Sequence, residues 1–261
     1  MLTTAAAFDL TANNLTRSLE NTARQPVVAR DAEYYLENIS KITSVDDFLA
    51  DDRLYRFAMK AHGLEDMAYA KAFMRKALEE GIDKNDSFAN SLADTRYRDF
   101  VEVFNFERYG ETAVAFDRTK QGTVDKFIRQ TLEEDAGAQN EAVRLALYFE
   151  RKAPEITSAY EILGDRALIS VVQTALGIPS ASSQQNIDRQ AENIASRVDF
   201  EDFKDPEKLK SFIRRFAALW DAQNGQPAAA ATPQILIGAP IEVGISADLL
   251  TQLQTLGLQR R

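Results

Sequence analysis

Residues 34–64 of this sequence lie over residues 148–178 without a gap when the chain is slid along itself by 114 positions. Identical residues fall at Tyr34/Tyr148, Ile42/Ile156, Thr43/Thr157, Ser44/Ser158, Leu49/Leu163, Asp51/Asp165, Leu54/Leu168, Ala61/Ala175 and Gly63/Gly177. That is 9 matches in 31 positions, against roughly two expected from ordinary composition. What repeats is a set of helix signals. Leu54, Phe57, Ala58 and Ala61 recur at i, i+3, i+4, i+7, and so do Leu168, Val171, Val172 and Ala175. Each set is the apolar stripe of a helix facing a core.

The residues around each stripe explain where its helix starts and stops. "SVDD" (Ser44 to Asp47) and "SAYE" (Ser158 to Glu161) read as capping boxes, in which the serine and the acid (Asp47 or Glu161) serve free N–H groups of a short helix. Asp51 and Asp165 suit the N-cap of the next helix. Gly63 and Gly177 sit where a left-handed residue ends it, with Leu64 and Ile178 placed to close a Schellman motif. The densest acidic stretch, Asp46, Asp47, Asp51 and Asp52, is resolved by the same comparison. The second copy has Tyr160 and Arg166 in place of Asp46 and Asp52, and keeps only the capping positions. The acids therefore read as caps and first-turn residues favoured by the helix dipole, not as a metal or acid–base site.

Downstream, the stripe Tyr97, Phe100, Val101, Phe104 is matched 112 positions later by Leu209, Phe212, Ile213, Phe216, whose helix is announced by Asp205 as N-cap and Pro206 at N1. Between them "AYAKAFMRKALEEG" and "NIDRQAENIASRV" read as further amphipathic helices, with Phe73 over Ile187. Upstream, "RSLENTA" resembles "RQTLEED". The expected architecture is all-α: a duplicated multi-helix unit, residues 12–111 and 122–224, packed as one body with pseudo-two-fold symmetry. The short joint between the units carries Val114 and Phe116, which argues against tethered domains. Residues 225–261 differ. "DAQNGQPAAAATP" reads as a linker, "QILIGAPIEVGIS" as an extended apolar segment, and "SADLLTQLQTLG" as a short helix with Leu249, Leu250, Leu253 and Leu256 on one face. Those four leucines are the expected partner-binding residues, since a tethered apolar segment folds back or docks on a partner.

Composition narrows function mainly by exclusion. With Lys+Arg 31 against Asp+Glu 40, the net charge of −9 argues against a broad nucleic-acid surface. Cysteine is absent, which removes disulfides, thiolate metal sites and cysteine nucleophiles. No apolar run approaches the roughly 20 residues that span a bilayer, and "MLTTAAAFDLTANN" lacks the basic region of a cleavable signal peptide. His62, the sole histidine, is read as structural and favoured near a helix C-terminus. The runs "EED" (Glu133 to Asp135) and "EDFKD" read as solvated helix ends and caps. No nucleophile elbow, zinc-binding helix, EF-hand loop or glycine-rich phosphate loop is present, so no catalytic residue, metal or cofactor is expected.

The stretches "AEYYLENISKITSVDDFLADDRLYRFAMKAHGLEDMAYAKAFMRKALEEG", "FANSLADTRYRDFVEVFNF", "TALGIP", "NIDRQ" and "FKDPEKLKSFIRRF" resemble the bacterial domain-of-unknown-function family numbered 1217. The resemblance covers most of residues 14–220. Its members occur mainly in alphaproteobacteria, commonly beside flagellar basal-body and export genes. It implies a link to flagellar assembly or function, with no defined activity, cofactor or catalytic residue. The expectation is a non-enzymatic interaction protein, located in the cytoplasm or passed through the flagellar export channel. Its partner would be a basal-body, rod, hook or export component. The Thr/Ala/Asn-rich start would suit an unfolded export signal. Two alternatives stand beside it: a carboxylate-based hydrolase acting in the cleft between repeats, and a regulatory adaptor whose tail competes between its own body and a partner.

Overall fold

Glycine and proline are scarce, at 11 and 7 residues, so little interrupts the helical periodicity of the chain. The computed structural model describes residues 2–224, and every regular element among them is helical. The N-terminal part contains α1 (Thr4–Ala12), α2 (Leu15–Ala23), α3 (Pro26–Ile39), α4 (Val45–Ala50), α5 (Asp52–Ala61), α6 (Lys71–Glu80), α7 (Thr95–Val103) and α8 (Phe106–Tyr109). The C-terminal part contains α9 (Gln121–Gln139), α10 (Glu141–Lys152), α11 (Ala159–Gly164), α12 (Arg166–Leu176), α13 (Ile187–Ala195) and α14 (Pro206–Asn224). Short 3-10 turns join several of them. The linker, the extended segment and the helix carrying Leu249, Leu250, Leu253 and Leu256 lie outside the described residues.

Local chemistry sets the helix ends. The Ser44 hydroxyl accepts from the Asp47 N–H at 3.1 Å, and Asp47 in turn accepts from the Thr43 N–H and hydroxyl at 3.3 and 2.8 Å. Asp51 accepts from the Leu54 N–H at 3.0 Å to start α5. Asp165 accepts from Ala167 and Leu168 at 2.7 and 3.2 Å to start α12. Ser158 departs from the expected box. Its hydroxyl donates to the Glu161 carboxylate at 3.1 Å and caps no backbone N–H. Glu161 is one methylene longer than Asp47, so its carboxylate, while holding Thr157 as Asp47 holds Thr43, also reaches the serine hydroxyl. Gly63 and Gly177 adopt φ of 70° and 65°. The paired bonds Leu64 N–H to Met59 and Gly63 N–H to Lys60, at 2.8 and 2.9 Å, close the Schellman motif of α5, and Ile178 to Gln173 with Gly177 to Thr174 close that of α12. Asp205 starts α14 by accepting from Glu207 and Lys208.

The buried side chains form two clusters, each dominated by one half of the chain. In the first, Tyr35, Phe48, Leu54, Phe57 and Phe100 come from α3, α4, α5 and α7, and Phe104 from the C-cap of α7. In the second, Phe149, Val171, Ile213 and Phe216 come from α10, α12 and α14. Two elements cross over. Val124 and Phe127 of α9 join the first cluster, where Phe127 stacks on Phe57 with ring centroids 3.9 Å apart. Phe8 of α1 joins the second and is 1% exposed.

The N-terminal stretch is therefore not an unfolded tail. Thr3 caps α1 by accepting from the Ala6 N–H, the Thr4 N–H donates to Asp221 at 2.9 Å, and Asp9 accepts from Arg214 at 3.0 Å. Burying Phe8 contributes about 2 kcal/mol, which outweighs the weak helix preference of the threonines. Three smaller departures have similar causes. Glu133, expected at a solvated helix end, is 1% exposed because α9 runs on to Gln139 and turns that residue toward α10. Ile187 is 53% exposed while its counterpart Phe73 packs against Phe88 and Tyr97. In the joint, Val114 is buried but Phe116 stays exposed under the Arg118 guanidinium.

Candidate functional site

The end of α5, the length of α7, the connection before α9 and the end of α10 meet around a cavity of about 500 Å³. Its wall is charged. Arg96, Arg118, Lys126, Arg151 and Lys152 face Asp99, Glu102 and Glu155, with Ala61, His62 and Val103 as apolar and aromatic backing. The first half of the chain supplies α5 and α7, and the second supplies α9 and α10. A narrower extension of about 80 Å³ continues between Arg98 and the Tyr148, Glu161 and Asp165 side chains.

Three of the five cations are already committed. Arg96 holds Asp94 through two nitrogens, at 3.0 and 2.7 Å, and donates from Nη1 to the Gly63 carbonyl at 2.6 Å. It thus fastens α7 to the end of α5. Burial alone would lower its pKa, but the Asp94 bond and charge prevail, and the guanidinium is held above its ordinary range. Arg151 grips Glu133 with Nε and Nη2 at 2.9 and 2.8 Å, and Arg129 takes the same carboxylate at 2.9 Å. This triad, in which Arg129 and Glu133 are buried and Arg151 is half-buried, ties α9 to α10. Lys152 is shared by Asp99 at 3.1 Å and Glu155 at 3.2 Å.

Arg118 and Lys126 are different: neither lies within ion-pair distance of a carboxylate among the described residues. Arg118 makes one long bond to the Val103 carbonyl, at 3.4 Å, and lies over the Phe116 and Tyr109 rings at 4.5 and 5.1 Å, lowering the Tyr109 pKa. Lys126 is accessible to solvent, yet it stands in a concave wall that strips much of its hydration. Desolvation first, then Lys152 and Arg151, lower its pKa.

His62 backs this wall. Its ring packs edge-on against Phe100, with centroids 5.3 Å apart, and its Nε2 is buried without a hydrogen-bond partner. Desolvation pushes its pKa well below 6.5, and Lys126, Lys152 and Arg151 push it further in the same direction. The helix-end location read from the sequence holds, but the reason differs, because the dipole would favour a charged ring and these surroundings favour a neutral one.

The acids of residues 46–52 do not converge. Asp46 pairs with Arg75, Asp52 with Arg56 and Lys71, Asp47 with Thr43, and Asp51 accepts from the Tyr34 hydroxyl at 2.9 Å. Among the expected caps, Glu161 and Asp165 line the narrow extension. The cationic wall was missed by sequence reasoning. Its residues come from separate helices, and only the adjacent pair Arg151 and Lys152 carried any signal. Among the described residues no group of three or more His, Cys, Asp or Glu is arranged to hold a metal ion. No helix among them is long and apolar enough to cross a membrane.

Comparison with solved structures finds the crystal structure of protein AGR_C_984 from Agrobacterium tumefaciens, 43% identical in sequence with a TM-score of 0.80. The alignment covers 86% of this chain and 97% of that one. No curated protein matches the chain. The family model described as a protein of unknown function, DUF1217, matches residues 61–209. That match spans more than half of the sequence, and the chain belongs to the DUF1217 family.

Proposed function

We propose that this chain is a non-enzymatic interaction protein linked to flagellar assembly or function, built from two related helical units about a pseudo-two-fold axis. The flagellar link rests on the resemblance in sequence. The duplication is supported by the order of elements: α3, α4, α5, α6 and α7 are followed in the same sequence by α10, α11, α12, α13 and α14. It is further supported by corresponding tyrosine bonds, Tyr34 to Asp51 and Tyr148 to Asp165, each spanning 17 residues. The crossed placement of Phe8 and Phe127 is what a pseudo-two-fold exchange of leading helices would give.

The observation that carries the non-enzymatic reading is the state of the seam acids. Two of the three wall acids, Asp99 and Glu155, serve as ion-pair partners of Lys152, which favours a structural role for them over a facing acid–base pair. The protein partner, a basal-body, rod, hook or export component, would be engaged by Leu249, Leu250, Leu253 and Leu256. The test is swimming and filament number in a deletion strain complemented with the full chain or with one ending at Gly225. The proposal expects full-length protein to restore both and the shortened chain, equally abundant, to fail. Unchanged motility on deletion would refute the flagellar link.

A further inference from the structure

We propose that the seam cavity is a binding site for a small multivalent anion bearing phosphate or carboxylate groups. The proposal goes beyond the interaction role and stands or falls separately from it. Behind the wall, Asp94 and Glu133 answer Arg96 and Arg151, while Asp99 and Glu155 answer Lys152. Arg118 and Lys126 have no such partner among the described residues, and Glu102 is the one wall acid without a cation at ion-pair distance there. Two unanswered cations thus face the same space, one a planar fork suited to two oxygens and one a point charge.

The shape favours a small ligand. About 500 Å³ falls within the roughly 300–1,000 Å³ usual for metabolite sites. A long polyanion would meet the field of a chain with net charge −9 over the rest of its path, whereas a small anion enters the concavity alone. Lys152 and Arg151 also discourage Lys126 and His62 from carrying a proton, with Asp99 and Glu155 acting the other way at Lys126. A bound anion would relieve that repulsion, and the low-dielectric wall would strengthen its contacts.

The experiment is calorimetric titration of the full chain at low ionic strength with inorganic pyrophosphate and, separately, citrate. It is repeated on Arg118→Gln, Lys126→Gln and Lys84→Gln. Arg118 and Lys126 are exposed, so both variants should keep the wild-type melting temperature, checked by circular dichroism. The expected result is saturable binding at one site per chain, weakened at least tenfold by Arg118→Gln and Lys126→Gln and unchanged by Lys84→Gln, which touches no part of the cavity. Pyrophosphate binding alone assigns phosphate chemistry, citrate alone assigns carboxylate chemistry, and binding of both assigns a site that selects charge. Absence of saturable binding, or equal weakening by Lys84→Gln, would overturn the proposal.

Discussion

Tyr34 and Tyr148 each donate to the aspartate that caps the helix 17 residues on, and each lies beneath an arginine, Arg53 at 4.1 Å and Arg151 at 5.0 Å. Their surroundings differ. Tyr34 and Asp51 are half-exposed, and the Tyr34 pKa is raised first by its bond to Asp51. Tyr148 and Asp165 are buried at the seam, where desolvation comes first in raising the tyrosine. The same division runs through the ion pairs. Asp46–Arg75, Asp52–Arg56 and, in the second half, Lys208–Asp202 lie at the surface, while Arg96–Asp94 is partly covered and the Glu133 carboxylate between Arg129 and Arg151 is 1% exposed. One local device thus carries different weight according to how much water surrounds it.

The largest expected effect is at the triad. Glu133→Ala leaves two arginines facing each other with little solvent, and should cost about 3–5 kcal/mol in denaturant unfolding. Asp46→Ala, which breaks an exposed pair, should cost under about 1 kcal/mol. Equal losses would mean that the buried and surface pairs are not distinct in kind.

The next effect is steric. At offset 114, Gly164 corresponds to Ala50, yet only Gly164 has a backbone against it, the Ala93 carbonyl, which an added Cβ would overlap. Gly164→Ala should therefore destabilise by about 3 kcal/mol, although alanine is the better helix former at an open site. A neutral outcome would show that the first half does not press on α11.

Smaller again is the tyrosine pair itself. Tyr148→Phe leaves a buried Asp165 oxygen without its donor and should cost about 2 kcal/mol, against about 0.5–1 kcal/mol for Tyr34→Phe. Thermal or urea unfolding of the two variants gives the difference, and a reversal of the order would contradict the contrast between a wet and a dry tyrosine–aspartate pair.

What could be read from the sequence was what lies within one turn of helix. Asp51, Asp165, Gly63 and Gly177 act through backbone groups two to five residues away, so spacing alone located them. The stripe residues Leu54 and Val171 were legible for the same reason. Glu133 was not, because its neighbours Glu134 and Asp135 gave it the look of a solvated run, and its burial depends on α10 lying across it. The partner at i−4, Arg129, was the one available clue. The cavity was least legible of all, since Arg118 and Lys126 acquire meaning only when α7, α9 and α10 close around the same volume.

His62 reports on that volume from inside the wall, and as the sole histidine it gives an unambiguous imidazole signal. Burial and the neighbouring cations depress its folded-state pKa below the ordinary 6.5. Stability from this group is therefore present in full above 6.5 and is lost as pH falls below it, by up to about 1.4 kcal/mol per pH unit. The decisive measurement is an NMR titration of His62 in the untagged chain, alone and with saturating pyrophosphate. A ring that stays neutral as pH falls through 6.5, and titrates higher once pyrophosphate is bound, is the expected result. Titration at the ordinary value, unmoved by pyrophosphate, would contradict a histidine with a desolvated Nε2 behind a cationic anion site.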